Sequence, residues 1–234
     1  MIFALDPLFL GDAGTLEVVL IVILKVLVAF GVLLITVMLY IWWMRKFISD
    51  MQNRVGPSRA GPFGILQTLA DGIKLFFKED LIPNKADKFV FKLAPFFSIV
   101  PALLVFTVVP VAGDFSSGGD GTVTWFGNKT FVQLADPHIG ILFVLAMSSI
   151  AVYGIMLAGW SSGSKYPLLG SVRASAQMVS YEAALGLALV AVLMKTGTLS
   201  THNIALSQSG GITDWGLVVT CFVPFFIFFI ATTA

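Results

Sequence analysis

The stretch ASAQMVSYEAALGLALVAVLM, residues 174–194, decides how this chain folds. It is long and apolar enough to cross a bilayer, because about 20 helical residues span a hydrocarbon core of about 30 Å. Near its middle stands Glu182, the only charged residue in the stretch. An ionisable side chain at this depth costs roughly 2.5 to 3.5 kcal/mol on insertion scales, so such residues face the protein interior and often form ion or proton sites. We therefore expect Glu182 to exchange protons. A carboxylate that merely ties two helices together is the alternative.

The composition of the whole chain agrees with this first stretch. Apolar residues make up 57% of the 234 residues and charged residues 12%, and the mean hydropathy is +0.93. These values lie outside the range of ordinary soluble domains and indicate an all-α integral membrane protein. No basic residue precedes Lys25, so the N-terminus lacks the charged region of a cleaved signal peptide, and we expect the first apolar segment to remain as an anchor.

Residues that could hold a redox group are few. The single cysteine, Cys221, lies in an apolar run and excludes an internal disulfide, a CxxC metal site and an iron–sulfur cluster held by this chain. We interpret Cys221 as a buried structural thiol, and His138 and His202 as interfacial polar caps. The sequence contains no phosphate-binding glycine loop. We expect this chain to bind no metal or cofactor of its own, and no nucleic acid.

Hydropathy predicts five membrane spans within a single membrane domain of residues 1–234. Lys25 lies inside the first apolar stretch, but the residues after it suffice to cross the bilayer, so we expect Lys25 to snorkel to one interface. The outer connection 113–136 is rich in glycine and serine and is expected to be flexible. The last span stops without a basic flank, which predicts that the natural protein continues. The spans run approximately over residues 18–44, 93–111, 139–160, 174–194 and 215–234.

The basic residues predict an orientation. The loop after the first span and the connection 161–173 carry most of the lysines and arginines, and the opposite loops carry few. By the positive-inside bias, the long basic loop is cytoplasmic and the N-terminus lies outside. The basic residues on the predicted cytoplasmic side are Arg45, Lys46, Arg54, Arg59, Lys74, Lys78, Lys85, Lys88, Lys92, Lys165 and Arg173.

The long basic loop has two recognisable parts. Two Gly-Pro turns, at Gly56-Pro57 and Gly61-Pro62, predict an ordered, bent backbone. Apolar residues then recur at helical spacing, which predicts an interfacial amphipathic helix over about 63–78. Lys74 and Lys78 suit a lipid anchor. Asp71 either forms an ion pair with Lys74 on that helix or belongs to a polar stripe, capped by Arg54 and Arg59, that lines a polar cavity, and the residues alone leave both interpretations open.

Several ordered motifs resemble one family, the H subunits of proton-pumping NADH:quinone oxidoreductase, or respiratory complex I. The resemblance extends from about Arg45 to Ala234. The motifs are MQNRVGP (51–57), GPFGILQ (61–67), ADGIKL (70–75), GWSS (159–162), YPLLG (166–170), RASAQ (173–177) and SYE (180–182).

This resemblance implies a membrane subunit that joins the membrane and peripheral arms of a complex in the bacterial inner membrane. Arg45, Arg54 and Asp71 would line a quinone chamber, and Glu182 would couple quinone reduction to proton translocation. Quinone would be the substrate, while FMN and iron–sulfur clusters would belong to partner subunits. The expected surroundings are therefore other complex I subunits, quinone and the lipid bilayer.

Two departures from the family pattern accompany the resemblance. Met44 occupies the place of a glutamate that usually precedes the Arg45-Lys46 pair, and the chain stops before the acid-rich loop of the family. Two other functions remain open. One is the equivalent membrane subunit of an energy-converting hydrogenase, which purification with a nickel–iron partner would reveal. The other is a free-standing ion transporter, against which the sequence has neither a repeat nor paired broken helices.

Overall fold

The computed structural model describes residues 6–9, 14–115, 119–209 and 221–233. Those residues are mostly helical, as predicted, and fall into two compact units. One unit comprises the described residues of Met1–Lys25 and Pro83–Ala234, and the other comprises Val26–Ile82. The helices are α1 (Thr15–Met51), α2 (Gln67–Phe76), α3 (Lys88–Thr107), α4 (Gly140–Ser161), α5 (Lys165–Thr196), α6 (Thr201–Leu206) and α7 (Phe222–Thr233). The strands are β1 (Val123–Trp125) and β2 (Asn128–Thr130).

Four of the five predicted spans correspond to helices that are long and apolar enough to cross a membrane: α1, α3, α4 and α5. The fifth, predicted over 215–234, lies partly outside the described residues, and its described part is the 12-residue helix α7. An all-α membrane protein is thus confirmed. The predicted orientation and the single domain over residues 1–234 stay predictions.

In the first unit, α4 packs against both α3 and α5, and α5 packs against α7. Glycines allow the close approach of these helices. A Cβ atom on Gly154 would lie 2.9 Å from the Ala94 carbonyl oxygen in α3, and one on Gly159 would lie 2.7 Å from the Pro167 carbonyl oxygen in α5. Small residues at helix contacts are typical of membrane bundles, where apolar burial adds little and close packing drives association.

The ends of these helices differ from the predicted span ends. α5 begins at Lys165, so most of the predicted 161–173 connection is helical. A helix can continue beyond the hydrocarbon core, and Pro167 is tolerated there because the first turn has no backbone acceptors for its N–H groups. α3 begins at Lys88, where the Asp87 carboxylate accepts hydrogen bonds from two backbone N–H groups, and it ends at Thr107, shortly before Pro110, which disfavours a helical residue before it.

The prediction that Lys25 snorkels to an interface is wrong. Its side chain is only 5% exposed and forms an ion pair with Asp6. Asp6 precedes a short 3-10 helix, Pro7–Phe9, and its carboxylate also accepts hydrogen bonds from Leu8 N and from the Thr130 hydroxyl, each at 3.0 Å. A buried ammonium needs a counter-ion. Here Asp6 provides it, although Asp6 is distant in sequence from both Lys25 and Thr130.

The outer connection 113–136 is also more ordered than predicted, apart from residues 116–118, which lie outside the described part. β1 and β2 pair antiparallel, with Trp125 opposite Asn128. The two-residue turn Phe126-Gly127 closes this hairpin, and both residues have positive φ, 51° and 84°. The sequence does not predict this hairpin, because strands of only three residues are too short to show hydrophobic alternation.

The second unit contains the remainder of α1, the loop after it and α2. The interfacial helix predicted over 63–78 is shorter, because Phe63 and Gly64 adopt positive φ and interrupt it before Gln67. No residue of α2 is buried. Its apolar side chains include Phe76, which is 90% exposed, so within this unit α2 has the amphipathic character expected of a helix at a membrane surface.

Candidate functional site

The carboxylate of Glu182 on α5 is held by two adjacent serines on α4. Ser148 and Ser149 both donate to the same oxygen, Oε1, and the Ser149 distance is 2.9 Å. Two serines one residue apart can meet one oxygen because α4 and α5 pack side by side. Within the described residues, Oε2 accepts no hydrogen bond and Glu182 forms no ion pair.

Each serine hydroxyl has a second acceptor within reach. Ser148 Oγ lies 2.9 Å, and Ser149 Oγ 3.0 Å, from the carbonyl oxygen of Leu145 on the preceding turn of α4. A hydroxyl carries one proton, so it can donate either to Glu182 or to the carbonyl, but not fully to both. The two serines can therefore follow the charge of Glu182, donating to it when it is ionised and returning to Leu145 when it is protonated.

Glu182 lines an open cavity of about 580 Å³ between α4 and α5. Ser175 lies on the same side of α5, two helical turns before Glu182, and its Oγ is buried without a hydrogen-bond partner in the described part of the chain. A buried hydroxyl without a partner loses the hydrogen bonds it would make in water, so a polar occupant of the cavity would be favoured there. The cavity is lined by Ser149, Val152, Tyr153, Met156, Ser175, Ala176, Val179 and Glu182.

The second predicted cluster lies at the end of α1. Arg45 Nη1 donates to Asp71 Oδ2 at 2.6 Å, and Gln67 Nε2 donates to Asp71 Oδ1 at 3.0 Å. Hydrogen bonds from Arg45 first, and then from Gln67, hold the pKa of Asp71 below its ordinary value of 3.8. Trp42 adds a hydrogen bond from its indole N–H to the Phe63 carbonyl oxygen at 3.0 Å. Polar side chains thus join α1 to the middle of α2 and to the turn that precedes α2.

Arg54 does not join that cluster. Its Nε donates to Gln52 Oε1 at 2.7 Å, and the residue is exposed. The turn that follows is nevertheless ordered as predicted, because Lys46 Nζ donates to the Pro57 carbonyl oxygen at 3.2 Å. The structure therefore brings together Arg45 and Asp71, and leaves Arg54 with a local partner.

One buried polar network has no counterpart among the sequence predictions. Asp136 accepts hydrogen bonds from Ser200 Oγ at 2.9 Å to each carboxylate oxygen, and Gln133 Nε2 donates to the Val108 carbonyl oxygen at 2.9 Å. His202, predicted to be a polar cap in a loop, is instead buried in α6, and its ring centroid lies 4.2 Å from that of Phe131. These contacts join residues far apart in sequence, which no local pattern reveals.

Cys221 is buried, as predicted. Among the residues described by the structure, no group of three or more His, Cys, Asp or Glu side chains is arranged to hold a metal ion.

Comparisons with known proteins place these sites in context. A family model described as NADH dehydrogenase matches residues 24–234. The H subunit of the NADH-quinone oxidoreductase of Frankia casuarinae is 47% identical over 227 residues, which cover 97% of this chain and 45% of the relative. An H subunit of the same type of enzyme from Geobacter metallireducens is 46% identical over 89% of this chain and 61% of its own length. The corresponding protein of Streptomyces avermitilis is 48% identical over 80% of this chain and 40% of its own length. The chain spans about half the length of the curated relatives it matches.

Proposed function

This chain belongs to the NADH dehydrogenase family, and from that premise we propose that it serves as a membrane subunit of a proton-translocating NADH:quinone oxidoreductase. In this proposal the chain contributes to the quinone-binding chamber and couples quinone reduction to proton movement. Other membrane-arm and peripheral-arm subunits are its partners, and FMN and iron–sulfur clusters reside in those partners. The apolar helices and the bacterial relatives indicate a multi-pass protein of the inner membrane.

The observation that carries the coupling role is the hydrogen bonding of Glu182. A carboxylate within a membrane helix is normally expensive, and a fixed cation nearby would hold it permanently ionised. Among the described residues, its donors are instead the neutral hydroxyls of Ser148 and Ser149, which have a second acceptor in Leu145. This arrangement supports both the protonated and the ionised carboxylate.

Such a group responds to charge at a distance. A unit charge arriving about 10 Å from a carboxylate changes the free energy of ionisation by about 1.7 kcal/mol at an effective dielectric constant of about 20. That energy corresponds to more than a tenfold change in the protonation equilibrium. Quinone reduction creates and consumes charge, so a carboxylate with adaptable donors can release or take up a proton in response.

The cavity beside Glu182 provides the route in this proposal. Oε2 has no donor among the described residues, and the Ser175 hydroxyl is buried without a partner along the same cavity. Water bound between them would satisfy Ser175 and could carry a proton to or from Glu182.

For the quinone chamber, the supporting observation is the Arg45–Asp71 pair. Both side chains remain partly exposed, 44% and 39%, so their polar atoms can still meet a ligand. The pair orients the guanidinium, whose remaining N–H groups suit a quinone carbonyl oxygen. We assign Arg54 to the same chamber wall on the family resemblance alone.

The proposal is tested with Glu182→Gln and Glu182→Asp in the assembled complex. We expect the Gln variant to assemble, to oxidise NADH with an artificial acceptor at the parental rate, and to lose most quinone-linked NADH oxidation and proton pumping. The Asp variant keeps an acid on a shorter stem and should retain more of both. A Gln variant that assembles and pumps like the parent would show that Glu182 is only a packing residue.

A further inference from the structure

An apolar groove of about 400 Å³ lies between α3 and α4 within the first unit. The residues that line it are all apolar, and Met147 and Ile150 form its wall on α4. On α3 the groove is open, because Phe96 is 62% exposed and Val100 46%. An occupant of this groove must therefore be apolar over the length of the contact.

The groove covers only about half of α3. Its wall on that helix extends from Leu93 to Leu104, which is about 16 Å at 1.5 Å per residue. The helix itself has 20 residues and measures about 30 Å. One leaflet, half of the hydrocarbon core, is about 15 Å thick. The groove thus matches the acyl chain of a lipid in one leaflet, whereas a membrane-spanning helix of a partner would need a wall along the whole of α3.

Two lysines stand at the end of α3 where the groove begins. Lys88 is the first residue of the helix, and Lys92 lies one turn further in. They begin a row of residues spaced by four, which forms one ridge of an α-helix. Along the groove the ridge continues as Phe96, Val100 and Leu104. Long lysine side chains can reach the headgroups from this depth, so one edge of the apolar groove starts with two positive charges.

These charges have no counter-ion in the described part of the chain. Lys88 and Lys92 are exposed, and neither forms an ion pair there. The adjacent acid, Asp87, accepts hydrogen bonds from the backbone N–H groups of Phe89 and Val90 and so caps the helix. A cation in the first turn is unfavourable, because the N-terminal end of the helix dipole is positive. An anion bound beside the two lysines would offset both effects.

We propose that this groove binds one anionic phospholipid. The phosphate of the lipid lies at Lys88 and Lys92, and one acyl chain lies along the ridge between α3 and α4. The apolar wall accepts the chain of any phospholipid, so the two lysines provide the preference for an anionic headgroup. This site is independent of the proposed role in quinone chemistry.

The headgroup preference is tested by native mass spectrometry of the full chain, with phosphatidylglycerol and phosphatidylcholine of the same chain length as probes. We expect the parent to bind phosphatidylglycerol severalfold more tightly. Replacing both lysines, Lys88→Gln with Lys92→Gln, should lower that affinity by about tenfold and leave the affinity for phosphatidylcholine unchanged. Equal affinities of the parent for the two lipids would overturn the proposal.

A single lysine provides the matched control for charge. Lys165 is exposed and is the first residue of α5, as Lys88 is of α3. Lys88→Gln should weaken the binding of phosphatidylglycerol severalfold, and Lys165→Gln should leave it nearly unchanged. An equal loss in the two variants would make the overall charge of the chain responsible and overturn the site.

Two tryptophan variants test the groove itself. Val100→Trp fills the groove and should weaken the binding of both lipids. Ile99→Trp is the matched control, because Ile99 lies at the same depth of α3, is 58% exposed and does not line the groove. This variant should bind both lipids like the parent. Equal binding by the two variants would show that the acyl chain does not occupy the groove.

The assembled complex distinguishes a lipid from a protein neighbour. A photoreactive diazirine side chain is introduced in place of Leu104, which lies at the inner end of the groove. We expect illumination to attach a phospholipid to this position. Attachment to another subunit instead would assign the groove to a protein partner and overturn the lipid site.

Discussion

Arg45 Nη1 donates to Asp71 Oδ2 across 2.6 Å, so a guanidinium near the end of α1 holds a carboxylate in the middle of α2. The two residues are 26 positions apart, and the strained turn at Gly61 to Gly64 lies between them. An ion pair this exposed adds little to folding stability. The pair orients both groups, and under the proposed function it therefore serves ligand binding rather than folding stability.

Replacing Asp71 with Asn should therefore impair quinone chemistry more than folding. Asn keeps the size of the side chain but removes the charge that Arg45 binds, so the guanidinium loses its fixed orientation. We expect slowed quinone reduction, unchanged NADH oxidation with an artificial acceptor, and an unchanged unfolding temperature. Lys74→Gln, on the same helix, is the control. A loss in that variant as large as in Asp71→Asn would make the overall charge of α2 responsible instead of the pair.

The effect of Asp71→Asn should not depend on pH near neutrality. Arg45 and then Gln67 lower the pKa of Asp71 from 3.8, so the contribution of the ionised carboxylate is present above its unfolded value and is lost only as the pH falls through the lower folded value. Between about pH 6 and 8 the carboxylate stays ionised. The ratio of parental to variant quinone reductase rates should be constant over this range, and a ratio that falls steadily towards pH 6 would contradict the assignment.

The outline of this fold is readable from hydropathy, whereas several contacts that shape the site are not. The long apolar runs predict α1, α3, α4 and α5, because a membrane requires uninterrupted helices. Hydropathy predicts their ends poorly, since a charged first turn such as that at Lys165 ends an apolar stretch but not a helix. The Asp6–Lys25 pair depends on two segments meeting in space, and in the sequence only the position of Lys25 in an apolar run hints at a partner.

In the candidate site, too, some residues can be predicted from the sequence and others cannot. Glu182 can be predicted as a site residue because a charged side chain in a membrane span is costly. Nothing in the sequence marks Ser148 and Ser149 as its partners, because serine is common in membrane helices. Two adjacent hydroxyls in an otherwise apolar span are nevertheless a usable signal, since such groups often bond across helices. Arg45 and Asp71 form an ion pair, whereas their place in a quinone chamber stays a prediction, and Arg54 donates to Gln52, which is only two residues away.

Breaking the Lys25–Asp6 pair should destabilise the first unit strongly. Lys25→Met leaves a nearly buried carboxylate without its cation, and removing one partner of a buried pair costs about 3 to 5 kcal/mol. The exposed Lys129–Asp120 pair is the matched comparison, and Lys129→Met should change stability little. Unfolding in detergent measures both. The double variant Lys25→Met with Asp6→Asn should recover part of the loss, and a Lys25→Met variant as stable as Lys129→Met would contradict the buried pair.

Close packing of α3 against α4 makes a prediction about two glycines. Alanine favours a helix by about 1 kcal/mol over glycine, but a Cβ on Gly154 would lie 2.9 Å from Ala94 O and 3.0 Å from Ser98 N, which are backbone atoms that cannot easily move. Overpacking of this kind costs about 1 to 3 kcal/mol, so Gly154→Ala should destabilise the bundle. Gly170 in α5 has no heavy atom within 4 Å of such a Cβ, so Gly170→Ala should be neutral or stabilising. If Gly154→Ala and Gly170→Ala changed the stability in the same direction, the close packing of α3 against α4 would be contradicted.

The serines that hold Glu182 make the sharpest prediction about coupling. Ser148→Ala or Ser149→Ala alone leaves one hydroxyl on Oε1, so we expect each single variant to keep much of its quinone-linked proton pumping. The double variant removes both donors. A hydrogen bond to a charged group contributes about 1.5 to 3 kcal/mol, so ionised Glu182 loses enough stabilisation to slow proton release at least tenfold, whereas NADH oxidation with an artificial acceptor persists. Ser180→Ala, on α5 but lining the cavity toward α7, is the control and should pump normally.

Infrared spectroscopy gives a second readout that a change in packing alone would not move. The carbonyl stretch of protonated Glu182, identified by its loss in Glu182→Gln, should shift in the double variant and stay in place in Ser180→Ala. An unshifted band together with normal pumping in the double variant would show that the two serines do not control this carboxylate.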